Sequence, residues 1–416
     1  MSQPSTRREM IAQSAAGLAW LASLGIPYAA WALQDGEEVV TLTDYTNAFQ
    51  VEASATTPRV RCIDLRQLTS WATPNDEHYA FSQTRAPEVD AATYTLRVSG
   101  FVKRPLEFTL DQLKARKDRR DEGVTLECSG NSTRPQRMSG LLSNGVWTGV
   151  GLKSILEEAG ITPEAREVLF LGLDLEKEKK FQAGNREYQA PHGRAIHLLD
   201  ALHPDTMLAF SLNGQPIPRE QGFPVRLLVP GWYGMTQVKW LGRIEVLDRR
   251  YEGQHQVRNY LSLRSVETPE GPMWLDTSIS KNRLKSLVAR VTRRRHDGDL
   301  VYTISGPAWG GQVPIKAVEV QVDGGPWQSS TIQPSEQARR LASKGKYSWV
   351  LWSYSVPNLA PGTHTLVSRA IDATGKVQPT DEERRAEIAS GREDNSACLR
   401  AEVSGGGPAV AAGSKE

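Results

Sequence analysis

Residues 213–246 read NGQPIPREQGFPVRLLVPGWYGMTQVKWLGRIEV. Two apolar runs rich in Val, Leu and Ile, PVRLLVPG and KWLGRIEVL, the second extending to Leu247, are bounded by Gly and Pro and predict strands. Arg226 stands in the first and Lys239 opens the second. A cation on a strand otherwise made of Val, Leu and Trp is costly to bury without a partner. An anionic ligand would supply that partner, and so would a buried carboxylate. Neither a Walker loop nor a GxGxxG is present, so no motif supports nucleotide binding.

Working outward, EVLFLGLD, closing on Asp174, and MLAFSLNG predict further strands. Residues 92–117 alternate as strands and then start a short helix near Thr109 and Asp111, and VGLKSILEEAGI has the spacing of an amphipathic helix stopped by Gly160. GVTLECSG predicts a strand ending at Cys128. This first body is mixed α and β. After about Lys281 the pattern changes to short alternating strands with turn signals at Asp297-Gly298, Asp323-Gly324-Gly325 and Pro361-Gly362, which predicts an immunoglobulin-like β-sandwich. The fold class is therefore α+β. The expected organisation is an N-terminal signal over 1–32, an extended lead-in over 33–71, a first domain over 72–281, a sandwich over 282–403 and a flexible tail over 404–416.

The chain has 416 residues, 39% hydrophobic and 24% charged, the balance of an ordinary globular protein with two or three domains. Fifty basic residues against 48 acidic ones leave a formal charge of +2, no footprint for nucleic acid, and the run Arg293-Arg294-Arg295 reads as a solvated strand end. Cys62, Cys128 and Cys398 lie far apart with no CxxCH and no zinc spacing, so neither haem nor structural zinc is expected in this chain. Adjacent Arg7 and Arg8, an Ala/Gly-rich apolar run too short for a membrane span, and small residues around Ala30 and Ala32 look like a twin-arginine export signal. The expected location is the periplasm, with no membrane span in the mature protein.

LECSGNSTRP, residues 126–135, places a thiol at the mouth of a turn. On these residues alone Cys128 could equally be a small buried hydrophobe, the usual fate of a free cysteine. The block 213–246, together with LECSGN and SGPAWGGQVPIKAVEVQVDGGPW, resembles the sulfite oxidase family of molybdopterin enzymes over roughly residues 72–400. The resemblance implies a single-pterin molybdenum cofactor, a molybdopterin domain followed by a dimerisation domain, and a homodimer. By it Cys128 becomes the thiolate ligand of molybdenum, a soft donor fixed on a turn. It assigns pterin contacts to Tyr79, Phe81, Ser82, Gln83, Asp174, Gln221, Arg226, Gln237, Val238 and Lys239, with Arg and Lys suited to a phosphate. Gln221 stands where the family usually has histidine, and Tyr260 matches the active-site tyrosine.

The departures concern substrate. The family's sulfite-binding arginine positions fall on Phe81, Thr133 and Val350, and Arg85, Arg134, Arg137 and Arg258 are the nearby candidates for compensation. Each lost charged contact to an anion is worth about 1.5–3 kcal/mol. The expected function is an exported molybdoenzyme that oxidises a small sulfur compound, such as sulfite or sulfane sulfur, and passes two electrons to a cytochrome c-type acceptor or haem subunit. Alternatives are the same enzyme retuned to a less anionic substrate or run as a reductase, and a catalytically silent periplasmic binding or scaffold protein. The joint presence of Cys128, Asp174, Arg226, Lys239 and Tyr260 argues against the silent protein.

Overall fold

A computed structural model describes residues 33–40, 60–68, 70–131, 140–175, 181–183, 185–257, 260–333, 338–380, 383 and 400–405. The export signal and Thr133, Arg134, Arg137, Arg258 and Cys398 lie outside the described residues. Strands dominate, with few and short helices.

The first body is built on two five-stranded sheets. One orders Gly193–His197, Glu167–Gly172, Leu241–Leu247, Thr95–Gly100 and Leu106–Thr109, antiparallel except where Leu241–Leu247 lies parallel to Thr95–Gly100. The other orders Gln215–Pro216, Met207–Leu212, Leu142–Gly151 and Arg120–Glu127, with Arg226–Leu228 paired to Met207–Leu212. The helix Leu152–Ala159 forms as its spacing predicts: Leu152, Ile155, Leu156 and Ala159 face the core, and Gly160 ends it at φ 71°, a left-handed value that glycine adopts without a Cβ clash. Thr109 caps the helix Leu110–Lys114, its hydroxyl accepting from the Gln112 N–H while the Gln112 side chain accepts from the Thr109 N–H.

The second body is a sandwich of a six-stranded sheet around Arg290–His296, Asp299–Trp309 and Val350–Pro357 and a four-stranded sheet around Ile315–Val322 and Gly362–Asp372. Alternate residues, among them Val291, Tyr302, Ile304, Val318, Trp352 and Leu366, fill the space between them. Asp297-Gly298 and Asp323-Gly324 turn with positive φ at both positions, as their sequences predict.

The lead-in is more structured than its polar sequence implies. Glu38–Val40 adds an edge strand to the sandwich by pairing with Arg290–His296. Ile63, Leu65, Leu68 and Trp71 are buried in the core shared by the two bodies, because four apolar residues in a short span outweigh the surrounding polar ones once a groove exists to receive them. That shared core also holds Val124, Leu126 and Trp147 of the first body and Leu287, Trp309, Tyr347 and Trp349 of the second. Trp71 and Trp349 exchange bonds, each indole N–H donating to the other's carbonyl at 3.1 and 2.8 Å. A further hairpin, Leu261–Thr268 with Gly271–Ser278, follows Tyr260. Among the described residues no helix is long and apolar enough to cross a membrane.

Candidate active site

Strand ends and loops of both sheets of the first body converge on one cavity, which with its mouth holds about 700 Å³ between protein atoms. Cys128 stands just past the strand Arg120–Glu127. Its N–H donates to Leu141 O at 2.9 Å and its carbonyl accepts from Asn131 N–H at 2.9 Å, which fixes the turn at both ends. The Gly130 N–H points at Cys128 Sγ from 3.4 Å. Burial pushes the Cys128 thiol up to about 11, against the pull of that N–H. A protonated buried thiol is an inert hydrophobe, whereas a bound cation reverses the balance and makes it a thiolate ligand.

Arg226 begins the strand Arg226–Leu228 and is buried. Its guanidinium lies 5.0 Å from the Trp147 ring and donates to the carbonyls of Gln221 (2.8 Å) and Gln237 (3.1 Å), leaving Nε without a partner. Lys239, half-buried just before Leu241–Leu247, donates to Phe81 O at 3.1 Å, Glu220 O at 2.9 Å and the Ser82 hydroxyl. Burial lowers Arg226 to about 10, and burial with the Arg226 charge lowers Lys239 to about 7. Neither cation forms an ion pair with a carboxylate among the described residues. That removes the carboxylate-paired alternative left open by the sequence, and leaves two cations that carbonyl dipoles only partly compensate.

Two glycines allow close packing around the cavity residues. Gly222 has φ 109°, and a Cβ there would lie 2.9 Å from Lys239 Cβ and 3.2 Å from Arg226 Cβ. Gly234 faces the Tyr79 hydroxyl, which would be 2.5 Å from a Cβ at that position. Gln221, in place of the expected histidine, donates to the carbonyls of His78 (3.2 Å) and Tyr79 (2.6 Å) and so holds the 79–83 segment against the cavity. The Gln237 amide is spent on the backbone of Val229 and Trp232, tying the loop that follows Arg226–Leu228.

Of the residues singled out in the sequence, Tyr79, Phe81, Ser82, Gln83, Cys128, Asp174, Gln221, Arg226, Gln237, Lys239 and Tyr260 all line this cavity. Val238 does not: it is buried in the core of the first body, in the irregular stretch between the cavity residues Gln237 and Lys239. The Tyr260 hydroxyl accepts from Gln83 Nε2 at 2.8 Å, and burial raises the Tyr260 phenol, with Cys128 nearby adding to the shift. Phe81, 39% exposed, presents its ring at the mouth. Arg85 is exposed and is not a lining residue, and Val350 packs against the sandwich core.

Sequence reasoning missed His192 and Thr84. Asp174 accepts from the Thr84 hydroxyl and from the His192 N–H at 3.1 Å, and His192 Nε2 bonds Met235 O at 2.9 Å. Burial lowers His192, so its imidazole is neutral and lines the cavity as a hydrogen-bonding wall. No spacing in APHGRA announces this, since the residue reaches the site only through pairing of Gly193–His197 with Glu167–Gly172.

A thiol on a rigid turn, set in one cavity with two incompletely compensated cations, is the donor set that an anionic cofactor carrying a thiolate-binding metal would need. Residues 83–255 match the model of the oxidoreductase molybdopterin binding domain, and residues 278–390 that of the Mo-co oxidoreductase dimerisation domain. The chain is 30% identical over 327 residues to sulfite oxidase of Gallus gallus, covering 74% of this chain and 68% of that protein. It is 31% identical over 338 residues to the nitrate reductase [NAD(P)H] of Hordeum vulgare, covering 74% of this chain but only 37% of that longer protein. The crystal structure of the sulfane dehydrogenase SoxCD from Paracoccus pantotrophus superposes with a TM-score of 0.70 at 25% identity, covering 86% of this chain and 90% of that one. The chain belongs to the sulfite oxidase family of molybdopterin oxidoreductases. Its first body is the molybdopterin-binding domain of that family, and its second the immunoglobulin-like dimerisation domain.

Proposed function

We propose that the protein is a molybdopterin-dependent oxidoreductase that oxidises a small sulfur compound, sulfite or sulfane sulfur, and delivers two electrons to a cytochrome c-type acceptor or haem subunit. The observation that carries this reading is the cavity itself, which brings the Cys128 thiol together with Arg226 and Lys239. The residues fit the single-pterin molybdenum cofactor: Cys128 is a soft donor, and the unpartnered Arg226 Nε and the Lys239 ammonium suit a phosphate. Bound there, the cofactor supplies the two-electron exchange with substrate.

The chain's own residues do the rest. Arg226 and Lys239 hold the anionic end, and Asp174, fixed by Thr84 and His192, offers acceptor oxygens to N–H groups of a pterin. Oxidation of sulfite to sulfate takes up one water and releases two protons with the two electrons. Tyr260, its phenol oriented by Gln83, is placed to hold or pass one of those protons. The sandwich matches a dimerisation domain, which supports a homodimer, and the Arg7-Arg8 segment supports export by the twin-arginine route to the periplasm.

A second reading, a less anionic substrate or the reductive direction, is favoured by Phe81. Among the described residues that line the cavity the only fixed cations are Arg226 and Lys239, and an aromatic ring stands where the family places a substrate arginine. The nitrate reductase relative supports the reductive direction. The test is turnover of molybdenum-loaded protein with sulfite and with a sulfane donor, reading ferricyanide or cytochrome c reduction, and with nitrate and a reduced dye. Oxidation of either sulfur compound supports the first reading. Full metal loading with nitrate turnover alone replaces it with the reductase.

A further inference from the structure

The carboxylate immediately before Cys128 is buried, and it is engaged from the second body. Glu127 is 0% exposed. Its Oε1 accepts from Lys285 Nζ at 2.5 Å and from Asn131 Nδ2 at 3.0 Å, and its Oε2 accepts from Trp309 Nε1 at 2.9 Å. Lys285, 1% exposed, also reaches the Tyr233 hydroxyl at 3.3 Å, beside the cavity residue Gly234. Asn131 closes the loop, because its N–H donates to Cys128 O and its Oδ1 accepts from Leu141 N–H at 3.3 Å, while Leu141 O takes the Cys128 N–H. Asn131, which bonds both Cys128 O and Leu141 N–H, is thus itself held by Glu127, and among the described residues Glu127 is charge-paired only by Lys285 of the sandwich.

We propose that the second body supplies part of the metal site: Lys285 and Trp309 are positioning residues that act through Glu127 and Asn131 to set the direction of the Cys128 sulfur. Burial opposes the Lys285 charge, but Glu127 and Tyr233 together hold its ammonium above the ordinary value. A buried pair of this kind contributes little net stability over apolar residues of the same shape, yet losing one partner strands the other charge. Without Lys285 or Trp309 a buried Glu127 oxygen loses a donor, and its turning toward the donors that remain would shift Asn131 and the Cys128 turn with it. Outer partners of metal ligands commonly alter metal affinity by about 10- to 100-fold when removed. The inference rests on Cys128 being the ligand.

The experiment compares wild type, Lys285→Met, Trp309→Phe, the double variant Glu127→Gln/Lys285→Met, and Tyr347→Phe as an interface control. The Tyr347 hydroxyl donates to Asp205 across the same interface at 2.5 Å, so its loss disturbs the interface without removing a donor to Glu127. Each holoenzyme is read by molybdenum-to-protein ratio and by the electron paramagnetic resonance of the one-electron-reduced metal. We expect Lys285→Met to lose on the order of tenfold in metal retention and to shift the resonance, with a smaller shift of the same sign in Trp309→Phe. The double variant should return toward wild type and Tyr347→Phe should match it. An unshifted resonance in the metal-bound fraction of both Lys285→Met and Trp309→Phe overturns the inference, as does an equal shift in Tyr347→Phe. If Lys285→Met fails to fold, Trp309→Phe alone decides between the same outcomes. Wild type devoid of molybdenum would instead overturn the functional reading beneath it.

Discussion

At the scale of single residues, Lys239 and Tyr260 make the sharpest predictions. The Lys239 ammonium is lowered to about 7 from 10.5, so between those values the unfolded chain binds one proton more than the folded chain. Stability therefore rises with pH across that window, the penalty of holding the charge being present below it and relieved above it. Urea midpoints of cofactor-free protein from about pH 7 to pH 9 should climb, and the slope should flatten in Lys239→Met. An anionic ligand keeps the ammonium charged, so cofactor-loaded protein should lose that slope too. Tyr260→Phe keeps the ring and deletes the hydroxyl that Gln83 orients. It should lower kcat by about 100- to 10,000-fold, the usual worth of a positioned proton donor, while metal content stays at the wild-type level. A kcat within twofold of wild type would remove Tyr260 from proton handling.

At the scale of elements, the cradle depends on how strands end. Gly222 turns the chain at φ 109° and packs against both Arg226 and Lys239, where a Cβ would meet the Cβ of each. Gly222→Ala puts a Cβ in a left-handed backbone, which costs about 1–2 kcal/mol, and presses on both cations as well. Denaturant melts should show that loss together with reduced molybdenum content, and a stable variant with full metal would contradict the cradle. Much of this was legible beforehand. Residues 213–246 show their strands by apolar runs, their breaks by Gly and Pro, and their cations by contrast with their neighbours. Cys128 shows itself as a thiol at a strand end. What was not legible depends on pairing between distant strands: His192 joins the site through Gly193–His197, and the polar lead-in gives no hint that Glu38–Val40 completes a sheet of the sandwich.

At the scale of the whole molecule, the two bodies share a core. Trp71 from the lead-in, Trp147 from the cofactor domain and Trp349 from the sandwich lie in one buried cluster, with the Trp71–Trp349 exchange at its seam. Trp349→Ala leaves a large cavity there and should destabilise the protein by about 3–5 kcal/mol, with loss of structure in both bodies in one transition. Two separated transitions by calorimetry would mean that the seam is weaker than the packing implies. The sequence shows where the composition changes near Lys281 but not that the later half closes over the earlier one, since Glu127 and Lys285 are 158 residues apart and meet only in the folded chain.

The most direct test of the central claim is the number of sulfur atoms bound to molybdenum, read by X-ray absorption on wild-type protein and on Cys128→Ser purified with the cofactor. The account predicts one sulfur fewer in Cys128→Ser, because the hydroxyl is a hard donor and replaces the only protein thiolate that lines the cavity among the described residues. An unchanged sulfur count at full molybdenum occupancy would contradict it, and would place the metal away from Cys128.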